Sequence, residues 1–231
     1  MKLFLFVIGT VLGSFLCLCA ERVPKKESVI FGRSRCSYCH HPLSVKELIP
    51  LLSIIRQRFR CLHCGRALAF RYFFIEFLVG SLFVVFLSER SLILFWQLFW
   101  LLSTLVLAVI DCDTYLVEER IFLSTSLFLV AGGLILHQPI YWWQPLILLL
   151  CSSVLQRYLP DSLGMGDVWL TAVWSLLLTG YKLLVLLFIA SGSGLLFFMI
   201  QRIRQKPLRE VPFVPFLFCG LLVVLLSLKK A

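Results

Sequence analysis

The chain has 231 residues, 60% of them hydrophobic and 15% charged, with a mean hydropathy of +0.96. A soluble domain carries about 45–50% apolar and about 25% charged residues; here the apolar residues also come in long runs and not in amphipathic stripes, which argues against a soluble globular protein. The formal net charge of +10 therefore speaks first to membrane sidedness, and no nucleic-acid partner is expected.

In chain order, residues 3–20 form the first apolar run. It is long for a signal-peptide core, and Glu21-Arg22 follow where small cleavage-site residues would stand, so a retained transmembrane helix is expected. Residues 21–71 carry no long apolar run. Seven further runs follow at 73–88, 92–110, 121–136, 141–155, 168–179, 182–200 and 212–228. Several fall short of the ~20 residues that cross a bilayer and must borrow flanking aromatics or thin it locally. Gly180-Tyr181-Lys182 divides what would otherwise be one overlong segment. The expected fold is an all-α polytopic membrane protein with about eight transmembrane helices and a small cytoplasmic zinc-binding loop domain. Its parts are a first helix (1–20), a four-cysteine loop (21–71) and a membrane-embedded domain (72–231). No internal repeat or low-complexity tract is visible.

With the N-terminus outside, segments 21–71, 111–120, 157–167 and 201–211 face the cytoplasm and hold 17 of the 22 Lys and Arg residues. The other side keeps Lys2, Arg90, Lys182, Lys229 and Lys230. This bias sets the orientation and puts the loop and the acidic residues Asp111 and Asp167 at the cytoplasmic membrane face.

The loop is too small to bury much core and needs a staple. Cys36-Ser-Tyr-Cys39 and Cys61-Leu-His-Cys64 supply one, because two C-x2-C knuckles can present four thiolates to one zinc. A reducing cytoplasm argues against two disulfides. Free thiols are the plain alternative. A closed site of four cysteines leaves no open position for catalysis, so the zinc is expected to be structural. His40, His41 and His63 read as surface residues, and Cys17, Cys19, Cys112, Cys151 and Cys219 as small hydrophobes.

Only twelve carboxylates occur in the chain, and one at a membrane face is costly unless solvated, paired or used. Asp111 and Asp113 end the run at 92–110, and Asp167 opens the run at 168–179 in Gly164-Met-Gly166-Asp167. Taken singly, each reads equally well as a helix cap. Taken together, Asp111 and Asp167 could share one proton, the ionised carboxylate activating water and the protonated one assisting the scissile carbonyl. Gly164 and Gly166 leave room for an extended substrate. Glu76, following Arg71-Tyr72, could pair with a loop arginine, serve an interface or take part in function.

These residues resemble the prepilin peptidase family, also called type IV leader peptidases, almost from end to end. Gly13-Ser14-Phe15 with Arg22-Val23-Pro24 is similar to its GSF…R-x-P. The CxxC pairs flank Pro50-Leu-Leu-Ser53 as in its P-x-L-S, and Arg71-Tyr72 with Glu76 resembles its RY…E. Ile110-Asp111 and Gly164-Met-Gly166-Asp167 resemble the first catalytic aspartate and the GxGD signature, and Pro212-Phe-Val-Pro215-Phe its late PFxPF. Val117-Glu118, Trp169 and Cys17 depart from residues usual at those places. The resemblance implies a bacterial cytoplasmic-membrane aspartyl endopeptidase, with Asp111 and Asp167 catalytic. Its implied substrates are prepilin-like proteins with a basic leader and an apolar helix, cut after a Gly, as in type IV pili, secretion or competence systems. It also implies S-adenosylmethionine-dependent N-methylation of the new N-terminus, for which no nucleotide-type glycine motif is readable. A non-enzymatic membrane adaptor with a structural zinc module is the competing reading. It accounts for the spans and cysteines but not for acidic residues at two apolar helix ends. A transporter would want an ionisable group nearer mid-membrane, and only Glu76 is a candidate.

Overall fold

The computed structural model describes residues 1–89, 91–158, 164–205 and 211–230. Arg90, Lys206 and Arg209, which enter the charge distribution, lie outside the described residues. The apolar runs become eight long helices: α1 (Lys2–Arg22), α3 (Phe70–Leu87), α4 (Leu92–Thr114), α5 (Glu119–Ile135), α6 (Trp143–Tyr158), α7 (Met165–Leu177), α8 (Gly180–Ile203) and α9 (Val214–Lys230). The short α2 (Leu52–Arg56) lies in the cysteine loop. No strand occurs among the described residues, only two isolated β-bridges. Four helices, α1, α3, α4 and α8, are long and apolar enough to cross a membrane by themselves, while α7 is a shorter apolar helix.

The chain divides into two compact units, Met1–Leu98 and Phe99–Ala231. In the first, α1 lies against α3. Added Cβ atoms at Gly9 and Gly13 would lie 2.8 Å from Gly80 Cα and 2.9 Å from Glu76 Cα. The Gly9-x-x-x-Gly13 stripe therefore lets two backbones meet, the small-residue contact expected where lipid leaves no hydrophobic drive between helices.

Helix α4 runs across the division between the units, at Leu98 and Phe99. Of its apolar window 67% is buried, against 17% for α8. Trp100 of α4 meets Trp174 of α7 edge to face, with ring centroids 6.0 Å apart. Helix α7 also packs on α5, α6 and α8, and α8 on α9. Large apolar side chains such as Phe188, 81% exposed, cover the outward faces, as a lipid-facing surface requires.

Helix α4 runs past residue 110, where its apolar run ends. The Thr114 hydroxyl donates to the Ile110 carbonyl, and the Tyr115 N–H to the Asp111 carbonyl. Tyr115 then stops the helix in a left-handed conformation, φ 57°. Asp111 thus sits within the last turns of a continuous helix and not beyond its end.

Candidate functional site

Helical phase separates the two aspartates of α4. Residues two apart point about 200° apart around a helix; accordingly Asp111 is buried and Asp113 is exposed. The Asp111 carboxylate meets the start of α9, where its Oδ2 accepts the Val214 N–H at 3.0 Å. Phe213 N–H also bonds this carboxylate. The segment Pro212-Phe-Val-Pro215-Phe therefore brings unsatisfied first-turn donors to an acid, a favourable placement at a helix N-terminus.

Asp167 lies in the first turn of α7 and is close enough to Asp111 for the two charges to interact. The two glycines before it leave little space for a side chain, Gly166 least. A Cβ at Gly164 would come within 3.0 Å of Asp167 Oδ2, and one at Gly166 within 2.6 Å of Val117 Cγ2. Val117 belongs to the turn after α4. Gly166 thus lets the start of α7 close onto the turn that follows Asp111, bringing together residues distant in sequence.

The N-terminal motifs converge on a second constellation. Glu76 of α3 is 5% exposed. It accepts the Leu51 N–H at 2.7 Å and bonds the Ser14 side chain. This carboxylate ties Gly13-Ser14-Phe15 to Pro50-Leu-Leu-Ser53 and holds Leu51 at φ 60°. Of the arginines beside it, Arg71 reaches Glu21 at 3.3 Å. Tyr72 hydroxyl also bonds Glu21. Arg22, 8% exposed, donates to the Ser28 and Arg33 carbonyls at 2.9 and 3.1 Å and so pins the start of the loop.

The four cysteine sulfurs lie within 4.8 Å of one another, with Cys36 and Cys64 Sγ at 4.0 Å. Zinc–sulfur bonds of about 2.3 Å in a tetrahedron put sulfurs about 3.8 Å apart. The cluster could hold a metal ion of that kind, and all four predicted ligands are in it.

The knuckles have the same backbone. Cys36 N–H donates to the His41 carbonyl and Cys61 N–H to that of Arg66; His40 N–H donates to the Cys36 carbonyl and Gly65 N–H to that of Cys61. Arg35 bridges Pro42 as Arg60 bridges Ala67. The halves are joined by stacked His41 and His63 rings, 3.6 Å apart, and by Arg66 over the Tyr38 ring. Burial opposes ionisation of Cys36. Hydrogen bonds to the Cys39 and Tyr38 backbone and to the Cys39 and Cys61 sulfurs outweigh it, bringing the thiol down to about 7. At Cys39 a backbone hydrogen bond at His41 favours the thiolate, but loss of water contact and the other three sulfurs push it up to about 11. The sulfurs give up protons as a cluster.

Residues 7–89 match the family model described as the bacterial peptidase A24 N-terminal domain, and residues 96–199 that of the type IV leader peptidase family. A prepilin leader peptidase/N-methyltransferase of Bacillus subtilis (strain 168) is 30% identical over 228 residues, 94% of this chain and 90% of that protein. One of Myxococcus xanthus (strain DK1622) is 33% identical over 210 residues, 83% of this chain and 60% of that protein. One of Dichelobacter nodosus is 25% identical over 220 residues, covering 87% and 73%. No solved structure matches the chain.

Proposed function

Since the chain belongs to the type IV leader peptidase family and is a membrane peptidase of it, we propose that Asp111 and Asp167 are its catalytic pair. In this reading they cut the basic leader from prepilin-like proteins at the cytoplasmic face of a bacterial membrane. The observation that carries it is the approach of buried Asp111 to Asp167, with Gly164 and Gly166 making room.

In this reading the two carboxylates hold one proton between them at the substrate, and the apparent titrations belong to the pair. The ionised member takes a proton from water as the water oxygen attacks the scissile carbonyl carbon. The protonated member gives its proton to the carbonyl oxygen. Collapse of the tetrahedral diol breaks the C–N bond, and the departing amine takes back a proton. One water is consumed, with no metal or covalent intermediate in the balance. Donation from Val214 N–H fixes which way the Asp111 carboxylate faces.

In this assignment residues 1–20 anchor the loop of residues 21–71, residues 72–231 carry the peptidase, and the Lys and Arg distribution turns loop and aspartates to the cytoplasm. Zinc is the metal that suits Cys36, Cys39, Cys61 and Cys64, and its role is structural. The relatives' names also carry N-methyl transfer. S-adenosylmethionine, when bound, supplies a methyl group to the amine that cleavage exposes.

Co-expression with a prepilin-like protein and mass spectrometry of the product tests this. The wild type should shorten the substrate and add about 14 Da to the new N-terminus. Asp111→Asn and Asp167→Asn should leave it full length, whereas Asp113→Asn should cut. Cleavage by either of the first two variants sinks the pair. A wild type that holds zinc but never cuts would favour the adaptor reading.

A further inference from the structure

The cysteine loop is strongly basic. Residues 21–71 hold eleven Lys and Arg residues against three carboxylates, Glu21, Glu27 and Glu47. Arg56, Arg58 and Arg60 alternate along the end of α2 and the turn after it, and all three are exposed. Among the described residues none of the three is paired with a carboxylate. Beside them lies an apolar face. Leu52 is 66% and Ile55 54% exposed, and their three-residue spacing puts them on one side of α2, while Ser53 and Ile54 are buried.

Both ends of α2 are fixed beside the first turns of α3. At its start, the Leu51 N–H donates to Glu76 at 2.7 Å. Glu76 comes six residues after Phe70, the first residue of α3, which is about 9 Å along the axis. Its side chain leans back toward the start of α3, so the Leu51 N–H lies about one turn inside that helix. Just past the end of α2, Phe59 stacks on Phe70 and meets Phe73 edge to face, with centroids 5.8 and 5.7 Å apart. Leu51, Arg58 and Phe59 have φ of 60°, 50° and 56°, a left-handed backbone that residues other than glycine rarely adopt. These bends turn α2 along α3 between the levels of Phe70 and Glu76. The outward apolar surface of α3 covers the same levels: Phe70, Phe74 and Phe77 are 61, 54 and 51% exposed, at the spacing of one helix face. In a membrane helix such a face meets lipid, and Leu52 and Ile55 extend it sideways onto the loop.

We propose that α2 and the turn after it form an interfacial anchor for anionic lipid. Leu52 and Ile55 enter the acyl boundary of the leaflet on the loop side, and Arg56, Arg58 and Arg60 take the headgroup phosphates. Charge favours lipid over a protein occupant. The prepilin-like substrates of the proposed function carry a basic leader, which these arginines repel, and a second copy of the chain presents the same charge. An anionic membrane surface attracts basic side chains, and apolar neighbours on the same short helix seat it in the interface. The cysteine loop is then held to the membrane near its middle as well as through α1 and α3.

The test uses the full chain in vesicles of phosphatidylcholine, alone or with about one quarter phosphatidylglycerol. A photoreactive benzoylphenylalanine placed at Leu52 or at Ile55 should crosslink to acyl chains. The Arg58 and Phe59 N–H groups, which close the turn onto the Ile55 and Ile54 carbonyls, should exchange hydrogen at least about threefold more slowly with phosphatidylglycerol present. Salt at about 1 M should remove that difference. Arg56→Gln combined with Arg58→Asn, since Asn tolerates a left-handed backbone, should abolish it too, while zinc content stays that of the wild type. Crosslinks to a co-reconstituted prepilin-like protein or to a second copy, in place of lipid, would overturn the anchor and give the face to that partner. Absence of lipid crosslinks from both positions would overturn it as well. Equal exchange of the wild type in the two kinds of vesicle would overturn the arginine–phosphate contact, and this comparison holds even if the double variant loses zinc.

Discussion

Asp111 and Asp167 depend on atoms that are missing beside them. A Cβ on Gly166 would sit 2.6 Å from Val117 Cγ2, so Gly166→Ala must push the start of α7 off the turn after α4 and carry Asp167 with it. Misplacement of a reacting group by about 1 Å can cost about 100-fold in rate. Gly166→Ala should therefore lower prepilin cleavage by about 10- to 100-fold in a chain that still inserts and folds. Adding Val117→Ala removes the obstructing methyl groups and should restore most of the activity. If the double variant were as impaired as the single, contact with Val117 would not be the reason for the glycine. Much of this was legible in the sequence. An aspartate at the end of an apolar run and another after Gly-x-Gly stand out because charge is scarce. The preference for Asp111 over Asp113 becomes a matter of helical phase once α4 is seen to run to Thr114. What could not be read was the third partner, Val214, because a backbone N–H leaves no trace in side-chain chemistry.

At the level of elements, the cysteine loop is a duplicated knuckle. Arg35-Cys-Ser-Tyr-Cys39-His-His-Pro-Leu43 and Arg60-Cys-Leu-His-Cys64-Gly-Arg-Ala-Leu68 share hydrogen bonds and bridges position by position. The sequence reading found the cysteines but no repeat, since outside the Arg, Cys and Leu positions the side chains differ and only the backbone is the same. The left-handed position after each pair is filled differently: Gly65 has φ 69° and His40 φ 55°. A non-glycine residue pays on the order of 1–2 kcal/mol there. His40→Gly should relieve about 1 kcal/mol, slowing metal loss to a competing chelator by about fivefold. Faster loss would mean that the His40 side chain contributes more than its backbone costs. The α1–α3 contact was equally hidden. Gly9 and Gly13 sit in a run read for its hydropathy and for the Gly13-Ser14-Phe15 resemblance, yet the spacing of the two glycines is what brings α1 against Gly80 and Glu76.

Across the whole molecule, the two units are stabilised by different means. Phe99–Ala231 buries long helices against one another. The loop of the first unit buries little of its own: Ile54, Cys36 and Cys61 are inside, while Ile30, Phe31, Val45 and Leu62 are all more than 60% exposed. A segment of that kind takes much of its folding free energy from the metal that joins its ends. Removing zinc with excess chelator should then open residues 21–71 without melting the helices. Trypsin cleavage at the loop Lys and Arg residues should rise by at least about tenfold. The far-UV helical signal should barely change, because between α1 and α3 only α2 and one 3-10 turn are helical. Cys36→Ser should do the same at any zinc concentration the cell supplies, and it should lower bound zinc and loop protection more than it lowers prepilin cleavage, since the carboxylate pair belongs to the other unit. A loop that stays trypsin-resistant after metal analysis has shown the zinc to be gone would place its stability in the Arg22, Glu21–Tyr72 and Glu76–Leu51 contacts instead. In that case Glu76→Ala, and not Cys36→Ser, would be the substitution that opens it.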